Sequence, residues 1–381
     1  MRIAQLLPEL NEGGVERGVV ELNRELVKHG VESLVVSAGG RLAGQIEKDG
    51  GRHLDFDLAS KNPLTVPGRI LRLRRLLSQL RPDIIHARSR VPAWLAWLAN
   101  RRLGIPFVTT VHGFNSVNPY SRVMTYGRRV ICVSRAIKDY IQTHYQVPEE
   151  KIQVIPRGVD LEEFDPERID REFVADFKAR YNLADRFVVT AVGRITQLKD
   201  YETFIRGLAL AKENIPNLCG LIVGGVRKDK EQYFQSLQQL VADLNAGELV
   251  LFVGSQSRMA EIYSLSDLVV SSSKKPESFG RAAAEALAMN VPVIATRHGG
   301  VMDLVIPGRT GELIPPENAE TLAEAILKLR ENRPVELRKM IIDNFSLEKM
   351  VAANLDLYKM IVFSASSTER FLTGNGNTDG R

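Results

Sequence analysis

The segment that decides the fold runs from Leu268 to Met289 and reads LVVSSSKKPESFGRAAAEALAM. Its apolar first run, Leu268–Ser271, predicts a short buried strand. A polar loop follows, and after the turn at Gly280 the alanine-rich run 281–289 predicts a helix. A strand that leads through one loop into a helix is the repeating unit of parallel sheets. The segment therefore favours an α/β fold.

The same alternation extends along the chain in two series. The first opens with a strand over Arg2–Leu7 and a helix over 15–29, and the second with a strand over Phe187–Val192 and a helix over 201–213. Prolines among charged residues mark a break between them, within 156–183. Because 381 residues also exceed what one hydrophobic core usually serves, the sequence predicts two Rossmann-like, doubly wound domains.

The predicted domain boundaries follow from this break. Residues 1–165 form an N-terminal domain and 166–345 a C-terminal domain. A terminal helix over 346–363 packs back toward the N-terminal domain, and 364–381, rich in Ser, Thr, Gly and Asn, is expected to be disordered. Ligands of open α/β sheets bind beyond the carboxyl ends of the strands. We therefore expect the two domains to face each other across a cleft that holds the ligand.

Charge is unevenly distributed in a chain whose overall net charge is +5. Residues 1–165 contain 24 basic and 18 acidic residues, whereas the rest contains 27 and 28. A basic first half favours an anionic partner, such as an anionic membrane surface or a phosphorylated glycolipid. No recognition motif supports nucleic acid. With no apolar run long enough to span a membrane and two separated cysteines in apolar runs, we expect a cytoplasmic protein that can contact the inner face of the membrane.

Two segments that follow predicted strands have features of phosphate sites. Gly13 and Gly14 lie between the first strand and its helix, where glycine lets the backbone approach a phosphate and the helix N-terminus favours negative charge. A tight turn is the plainer interpretation. Arg194 and Lys199 lie five residues apart after the strand Phe187–Val192, where two cations can hold a diphosphate.

Two glutamates frame the loop that follows Ser271. Glu285, in the first turns of the predicted helix, can accept hydrogen bonds from a ribose diol, and Glu277, on the loop, can accept them from sugar hydroxyl groups. The N-terminus of the helix can present free N–H groups to an anion. The alternative is an exposed helix with ordinary acidic residues.

The glutamate pair, with Phe279 and Gly280 between its members, resembles the acidic motif of glycosyltransferase family 4, retaining enzymes of the GT-B fold. Further segments resemble family motifs in the expected order: GGVER at 13–17, VHG at 111–113, VIPRGVD at 154–160, GG at 299–300 and GRTG at 308–311. The resemblance covers about residues 1–360. It implies a hexosyltransferase that moves a sugar from a UDP-, GDP- or ADP-sugar to a hydroxyl acceptor with retention and without a metal or other cofactor.

The resemblance also implies roles for individual residues. The donor-binding set comprises Gly13, Gly14, Arg194, Lys199, Glu277, Phe279, Gly280 and Glu285. Arg194 and Lys199 would hold the diphosphate and stabilise the leaving group, Glu285 would bind the ribose, and Glu277 would position the donor sugar. His112 would contact the transferred sugar near the acceptor. The catalytic set implied is thus His112, Arg194, Lys199 and Glu277, with the first domain on the acceptor side.

Two further segments have alternative interpretations. Asp55 and Asp57 match an Asp-x-Asp pattern that can bind a divalent metal, but we interpret them as a solvated strand end and predict no metal site. The segment Leu64–Leu80 combines an apolar stripe with arginines. We favour a crossover helix packed on the sheet, with arginines at 69–75, Arg88 and Arg90 exposed toward an anionic acceptor or membrane.

Two other functions remain open at this stage. A sugar-nucleotide 2-epimerase would share the fold, and a non-catalytic sugar-nucleotide-binding protein would share the donor residues. The segment DIIHARSRVPAW, residues 83–94, resembles bacterial enzymes of lipopolysaccharide or other surface-polysaccharide assembly. This resemblance favours a glycan or glycolipid acceptor.

Overall fold

The chain forms two α/β units. A computed structural model describes residues 1–11 and 13–373, with side chains up to residue 364. Unit 1 consists of Met1–Gly158 together with the segment from Leu347 onward, and unit 2 is Val159–Ser346. The division lies seven residues before the predicted boundary at 165, because Val159 and Phe164 are buried in a core cluster of unit 2.

Unit 1 is built on a parallel sheet of seven strands in the order β3-β2-β1-β4-β5-β6-β7. Its strands are β1 (Arg2–Leu6), β2 (Glu32–Ser37), β3 (Arg52–Asp55), β4 (Ile84–Ala87), β5 (Phe107–Val111), β6 (Arg129–Cys132) and β7 (Ile152–Val154). Its helices before the crossing to unit 2 are α1 (Gly14–Lys28), α2 (Ala43–Lys48), α3 (Val66–Leu80), α4 (Arg90–Asn100) and α5 (Arg135–Tyr145).

Unit 2 repeats the design with six parallel strands in the order β10-β9-β8-β11-β12-β13. The strands are β8 (Phe187–Val192), β9 (Leu218–Val223), β10 (Val250–Gly254), β11 (Leu268–Ser271), β12 (Val293–Thr296) and β13 (Gly311–Ile314). The helices are α6 (Arg171–Arg180), α7 (Tyr201–Ala211), α8 (Glu231–Asp243), α9 (Met259–Ser264), α10 (Arg281–Ala288), α11 (Ala319–Glu331) and α12 (Leu337–Phe345). The predicted pair of doubly wound α/β domains is confirmed.

The terminal helix α13 (Leu347–Thr373) belongs to unit 1. Val351, Leu355 and Tyr358 on it are buried in one cluster with Ile3 of β1 and Ile84 of β4. The predicted tail, 364–381, therefore begins inside this helix, because neither Pro nor Gly interrupts the chain before Gly374. Residues 374–381 lie outside the described residues.

Each sheet reverses its winding direction once. The reversal lies between β1 and β4 in unit 1 and between β8 and β11 in unit 2. The loops that leave the carboxyl ends of two such strands diverge and form a crevice, where open α/β sheets bind ligands. The predicted glycine turn follows β1, the predicted cation loop follows β8, and the predicted glutamate loop follows β11. The topology thus brings the last two loops together at one switch point.

Candidate functional site

The loops after β8 and β11 are joined by hydrogen bonds. Ser272 Oγ donates to the carbonyl oxygens of Lys199 and Asp200, in both cases at 3.0 Å. The backbone amide of Lys274 donates to the Leu198 carbonyl at 2.9 Å. These bonds hold the predicted cations beside the predicted glutamate loop.

Lys199 and Glu277 form an ion pair. Lys199 Nζ lies 2.6 Å from Glu277 Oε1, and Ser273 Oγ donates to the same oxygen at 2.5 Å. Burial opposes ionisation of Glu277, but Lys199 and the serine hydroxyls outweigh it, so the pKa of Glu277 lies below its usual value. Glu277 is therefore a carboxylate at neutral pH and can accept hydrogen bonds from sugar hydroxyls.

Arg194 has different surroundings from Lys199. Its side chain is exposed and, among the described residues, it forms no ion pair. Gly193 before it has φ +151°, and a Cβ there would lie 2.6 Å from Lys199 Cε. Glycine therefore leaves room for the Lys199 stem to cross the loop toward Glu277.

Glu285 is held inside unit 2 on α10. It is 6% exposed, Tyr263 Oη donates to its Oε2 at 2.9 Å, and Arg281 Nε donates to its Oε1 at 2.8 Å. Each carboxylate oxygen has two lone pairs, so capacity to accept from a diol remains. Phe279 is buried in the core, and Gly280 is the residue before α10, so this part of the loop offers its backbone to a ligand.

His298, which the sequence analysis did not single out, lies in the loop after β12. Both of its ring nitrogens are buried and, among the described residues, lack a hydrogen-bond partner. It precedes Gly299 and Gly300, and the amide of Gly300 donates to the Glu277 carbonyl at 2.7 Å. Its position at the carboxyl end of a strand is the signal that could have identified it.

In unit 1, His112 follows β5 and lines a pocket. Arg157 Nη2 lies 3.4 Å from His112 Nδ1. A guanidinium can only donate, so Nδ1 accepts and the ring proton is on Nε2. Burial, with added repulsion from Arg157 and Arg88, lowers the pKa of His112 well below its usual value. Its Nε2 is buried without a partner among the described residues, so a neutral N–H donor is left for a ligand oxygen.

Gly14 lines a second pocket of unit 1, which shares Arg88, Thr110 and His112 with the first and also contains Arg157. Gly13 lies just before it, with a carboxylate oxygen of Glu16 over its backbone. A Cβ at Gly14 would lie 2.4 Å from Arg157 Nη1, so only glycine leaves enough space for the Arg157 guanidinium at this position. Arg157 stands in the quoted segment 154–160 but received no role from the sequence. The turn is therefore more than a tight connection, because it shapes the wall of a cationic pocket.

A run of buried side-chain hydrogen bonds ends at Thr110, which lines the pocket around His112. Tyr358 Oη on α13 lies 2.6 Å from His86 Nδ1, and His86 Nε2 lies 2.6 Å from Thr110 Oγ1. Burial and the nearby Arg88 lower the pKa of His86 well below its usual value, so the ring is neutral. The predictions included neither Tyr358 nor Thr110, since nothing local in their sequence marks them.

Two arginines that the sequence analysis placed on the surface are buried. Arg69 is 1% exposed and donates to the carbonyls of Asp57 and Asn62 at 3.3 and 3.4 Å. Arg88 is 8% exposed and donates to Gln5 Oε1 at 2.5 Å. The exposed-surface prediction is wrong for both, because their guanidinium groups find buried oxygen acceptors. Arg72 and Arg75 are exposed.

The Asp-x-Asp segment has a structural explanation. Asp55 ends β3, and Asp57 Oδ1 accepts from the amides of Ala59 and Ser60 at 3.3 and 2.9 Å. Within the described residues, no group of three or more His, Cys, Asp or Glu side chains is arranged to hold a metal ion. None of the helices in the described part of the chain combines the length and apolar character that a membrane crossing requires.

Comparison with known proteins gives the class to which these features belong. Residues 12–163 match the model for Glycosyltransferase Family 4, and residues 174–346 match that for Glycosyl transferases group 1. A glycosyltransferase structure from Rickettsia africae is 30% identical, with a TM-score of 0.88 over 95% of this chain and 98% of that one. The chain belongs to glycosyltransferase family 4 and has the two-domain GT-B fold.

Two other relatives are informative in different ways. D-inositol 3-phosphate glycosyltransferase of Mycobacteroides abscessus is 31% identical over 65% of this chain, and the match spans 58% of that protein's own length. The Anabaena HepE protein in complex with UDP is 21% identical, with a TM-score of 0.84 over 94% of this chain and 100% of that one. This second likeness shows the fold alone.

Proposed function

We propose that this protein is a retaining glycosyltransferase that moves a sugar from a nucleoside diphosphate sugar to a hydroxyl group of a glycan or glycolipid. One observation carries the proposal: Lys199, paired with Glu277, and the exposed Arg194 lie at the switch point of unit 2. Cations and a carboxylate at that crevice suit an anionic diphosphate joined to a polyhydroxylated sugar. The solved Anabaena structure with UDP, and a mannosyltransferase relative described as GDP-mannose-dependent, agree with this donor class.

In this proposal unit 2 holds the donor. Arg194 and Lys199 take the diphosphate and stabilise the charge that forms on it as the bond to the sugar breaks. The free N–H groups at the start of α10 favour the same negative charge. Glu285 binds the ribose and Glu277 the sugar hydroxyls. Side chains and a helix end perform the work that a metal ion performs elsewhere, so the reaction needs no cofactor.

Unit 1 supplies the acceptor side. The neutral His112 offers its Nε2–H to an oxygen of the transferred sugar, and the pocket around it receives the acceptor. A bacterial lipopolysaccharide or other surface glycan, assembled at the inner face of the membrane, fits the resemblance of residues 83–94. Two relatives are named for inositol 3-phosphate and for a phosphatidylinositol monomannoside, and both names support an acceptor that contains phosphate.

The test begins with thermal-shift measurements against UDP, GDP, ADP and their sugars, because a ligand stabilises the folded state according to its affinity. Arg194→Ala and Lys199→Ala are then assayed for transfer. We expect turnover to fall about 100-fold or more in each, since each variant loses a charged contact to the developing anion. Arg206→Ala, an exposed arginine of the same unit, is the matched control.

The assay is run in EDTA and, in parallel, with the donor alone. Transfer should survive EDTA, and the donor alone should not be epimerised. Near-normal turnover in both variants would overturn the diphosphate assignment. Loss of wild-type activity in EDTA, restored by Mn²⁺, would make Asp55 and Asp57 candidate ligands again.

A further inference from the structure

Arg88 is a buried charge without an opposite charge. It follows β4, it is 8% exposed, and among the described residues no carboxylate pairs with it. Its contact with Gln5 Oε1 uses one of five N–H donors, and its Nε has no partner among those residues. Burial alone lowers the pKa of Arg88 from its ordinary value.

Such a residue lowers the stability of the fold. An ion taken out of water loses its hydration, which destabilises the fold unless a counter-charge and hydrogen bonds replace it. The neighbouring histidines do not offset this cost, since His86 and His112 are neutral and supply no negative charge. A buried, unpaired and incompletely bonded guanidinium is therefore expected where a ligand supplies the missing negative charge.

The guanidinium reaches a pocket that can admit such a ligand. Arg88 lines a pocket of about 270 Å³ in unit 1 together with Ser89, Arg90, Thr110 and His112. Glu16 is the one acidic side chain among its described lining residues, and a carboxylate oxygen of Glu16 lies over the backbone of Gly13. The polar wall thus offers mainly donors: the two arginines and the hydroxyl groups of Ser89 and Thr110.

We propose that this pocket binds an anionic group of the acceptor, a phosphate or a carboxylate, with Arg88 as its principal ligand. The inference rests on the proposed function and narrows it, because it limits the acceptor to substrates that carry such a group near the reacting hydroxyl. A guanidinium fits both groups, since its parallel N–H bonds match two oxygens of either.

The test measures thermal stability of the whole protein with inorganic phosphate, a hexose phosphate, a hexuronate and a neutral hexose, at matched ionic strength. All protein samples carry the substitution Arg194→Ala and contain a saturating nucleotide, so that binding of the added anion at the diphosphate site does not contribute to the measured shift. We expect both kinds of anion, or one of them, to raise the melting temperature, and the neutral hexose not to do so. Whichever anion stabilises identifies the source of the charge.

The decisive variant is Arg88→Met. We expect it to melt at a higher temperature than its parent without anion, because a buried unpaired charge is gone, and to bind the anion at least about tenfold more weakly. Arg75→Met, which alters an exposed arginine of α3, should change neither the melting temperature nor the anion affinity. Arg88→Gln serves as the second variant if Met leaves Gln5 unpaired and unfolds the protein.

No anion-induced shift in the parent, or the same shift in the Arg88 variants, would overturn the proposal. Nucleotide binding by unit 2 is measured separately, so its loss would count against the donor assignment alone.

Discussion

Lys199 and Glu277 form an ion pair in which the two charges neutralise each other, at a separation of 2.6 Å. A diphosphate must therefore share Lys199 with Glu277. We expect Glu277→Gln to bind the nucleoside diphosphate more tightly than wild type, because Lys199 is released, and to transfer sugar more slowly, because the amide accepts fewer hydrogen bonds. Calorimetric titration with the nucleotide and a turnover assay check both halves. Ser273→Ala is the control, because it removes a hydrogen bond to Glu277 but keeps the charge. If Glu277→Gln bound the nucleotide more weakly than wild type, the ion pair would organise the loop rather than compete with the ligand.

Residue identities at strand ends could be predicted, but their pairing could not. Arg194, Lys199, Glu277 and Glu285 lie in loops or helix starts that strand and helix patterns locate. Which of them meet depends on the order of strands in the sheet, and that order is set by long-range packing. Arg88 shows the limit most clearly, because an arginine after a strand normally stays in water.

At the scale of elements, α13 links the end of the chain to the pocket of unit 1. Tyr358 has no other acceptor among the described residues, so we assign its hydroxyl as donor to His86 Nδ1. His86 Nε2–H then donates to Thr110 Oγ1, and the Thr110 proton is left for the pocket that Thr110 lines. We expect Tyr358→Phe to lower the free energy of unfolding by about 1–2 kcal/mol and to raise KM for the acceptor, with nucleotide affinity unchanged.

Urea denaturation and acceptor kinetics test that assignment. Ile361→Val, which alters a buried residue of the same helix that lines neither pocket containing Thr110, is the control. If Tyr358→Phe changed stability but left the acceptor KM at the wild-type value, α13 would serve the fold only.

Elements differed in how well the sequence predicted them. The apolar strands β1, β8 and β11 were located nearly to the residue, because buried parallel strands are continuous apolar runs. The short strands β7 and β13 were not identified. Their three or four residues mix polar and apolar side chains, since each lies at or next to the edge of its sheet. The long α13 was cut short because Ser and Thr are weak, but not forbidden, helix residues.

For the whole molecule, the two units differ more in net charge than the two predicted halves of the chain do. Unit 1 contains 28 basic and 18 acidic residues, for a net charge of +10, and unit 2 contains 23 and 28, for −5. A separation of this size orients a protein near an anionic surface, because one unit is attracted and the other repelled. It supports the proposal that unit 1 meets an anionic membrane or lipid-linked acceptor.

The surface of α3 offers a place to test this association. Arg72, Arg75 and Leu71 are exposed there, Leu71 by 54%, and Leu64, just before the helix, is 88% exposed. We expect the protein to sediment with vesicles that contain anionic lipid, and to do so less at high salt, since exposed charges are screened over about 10 Å at 0.1 M.

The double variant Arg72→Glu with Arg75→Glu should bind these vesicles less, because each reversed charge removes about 1 kcal/mol of attraction and adds repulsion. Arg206→Glu with Lys212→Glu makes the same change in net charge on exposed residues of unit 2 and should have a smaller effect. Equal binding to neutral and anionic vesicles, or an equal loss of binding in both double variants, would favour a soluble acceptor. The positive charge of unit 1 would then serve only to bind the substrate in its pocket.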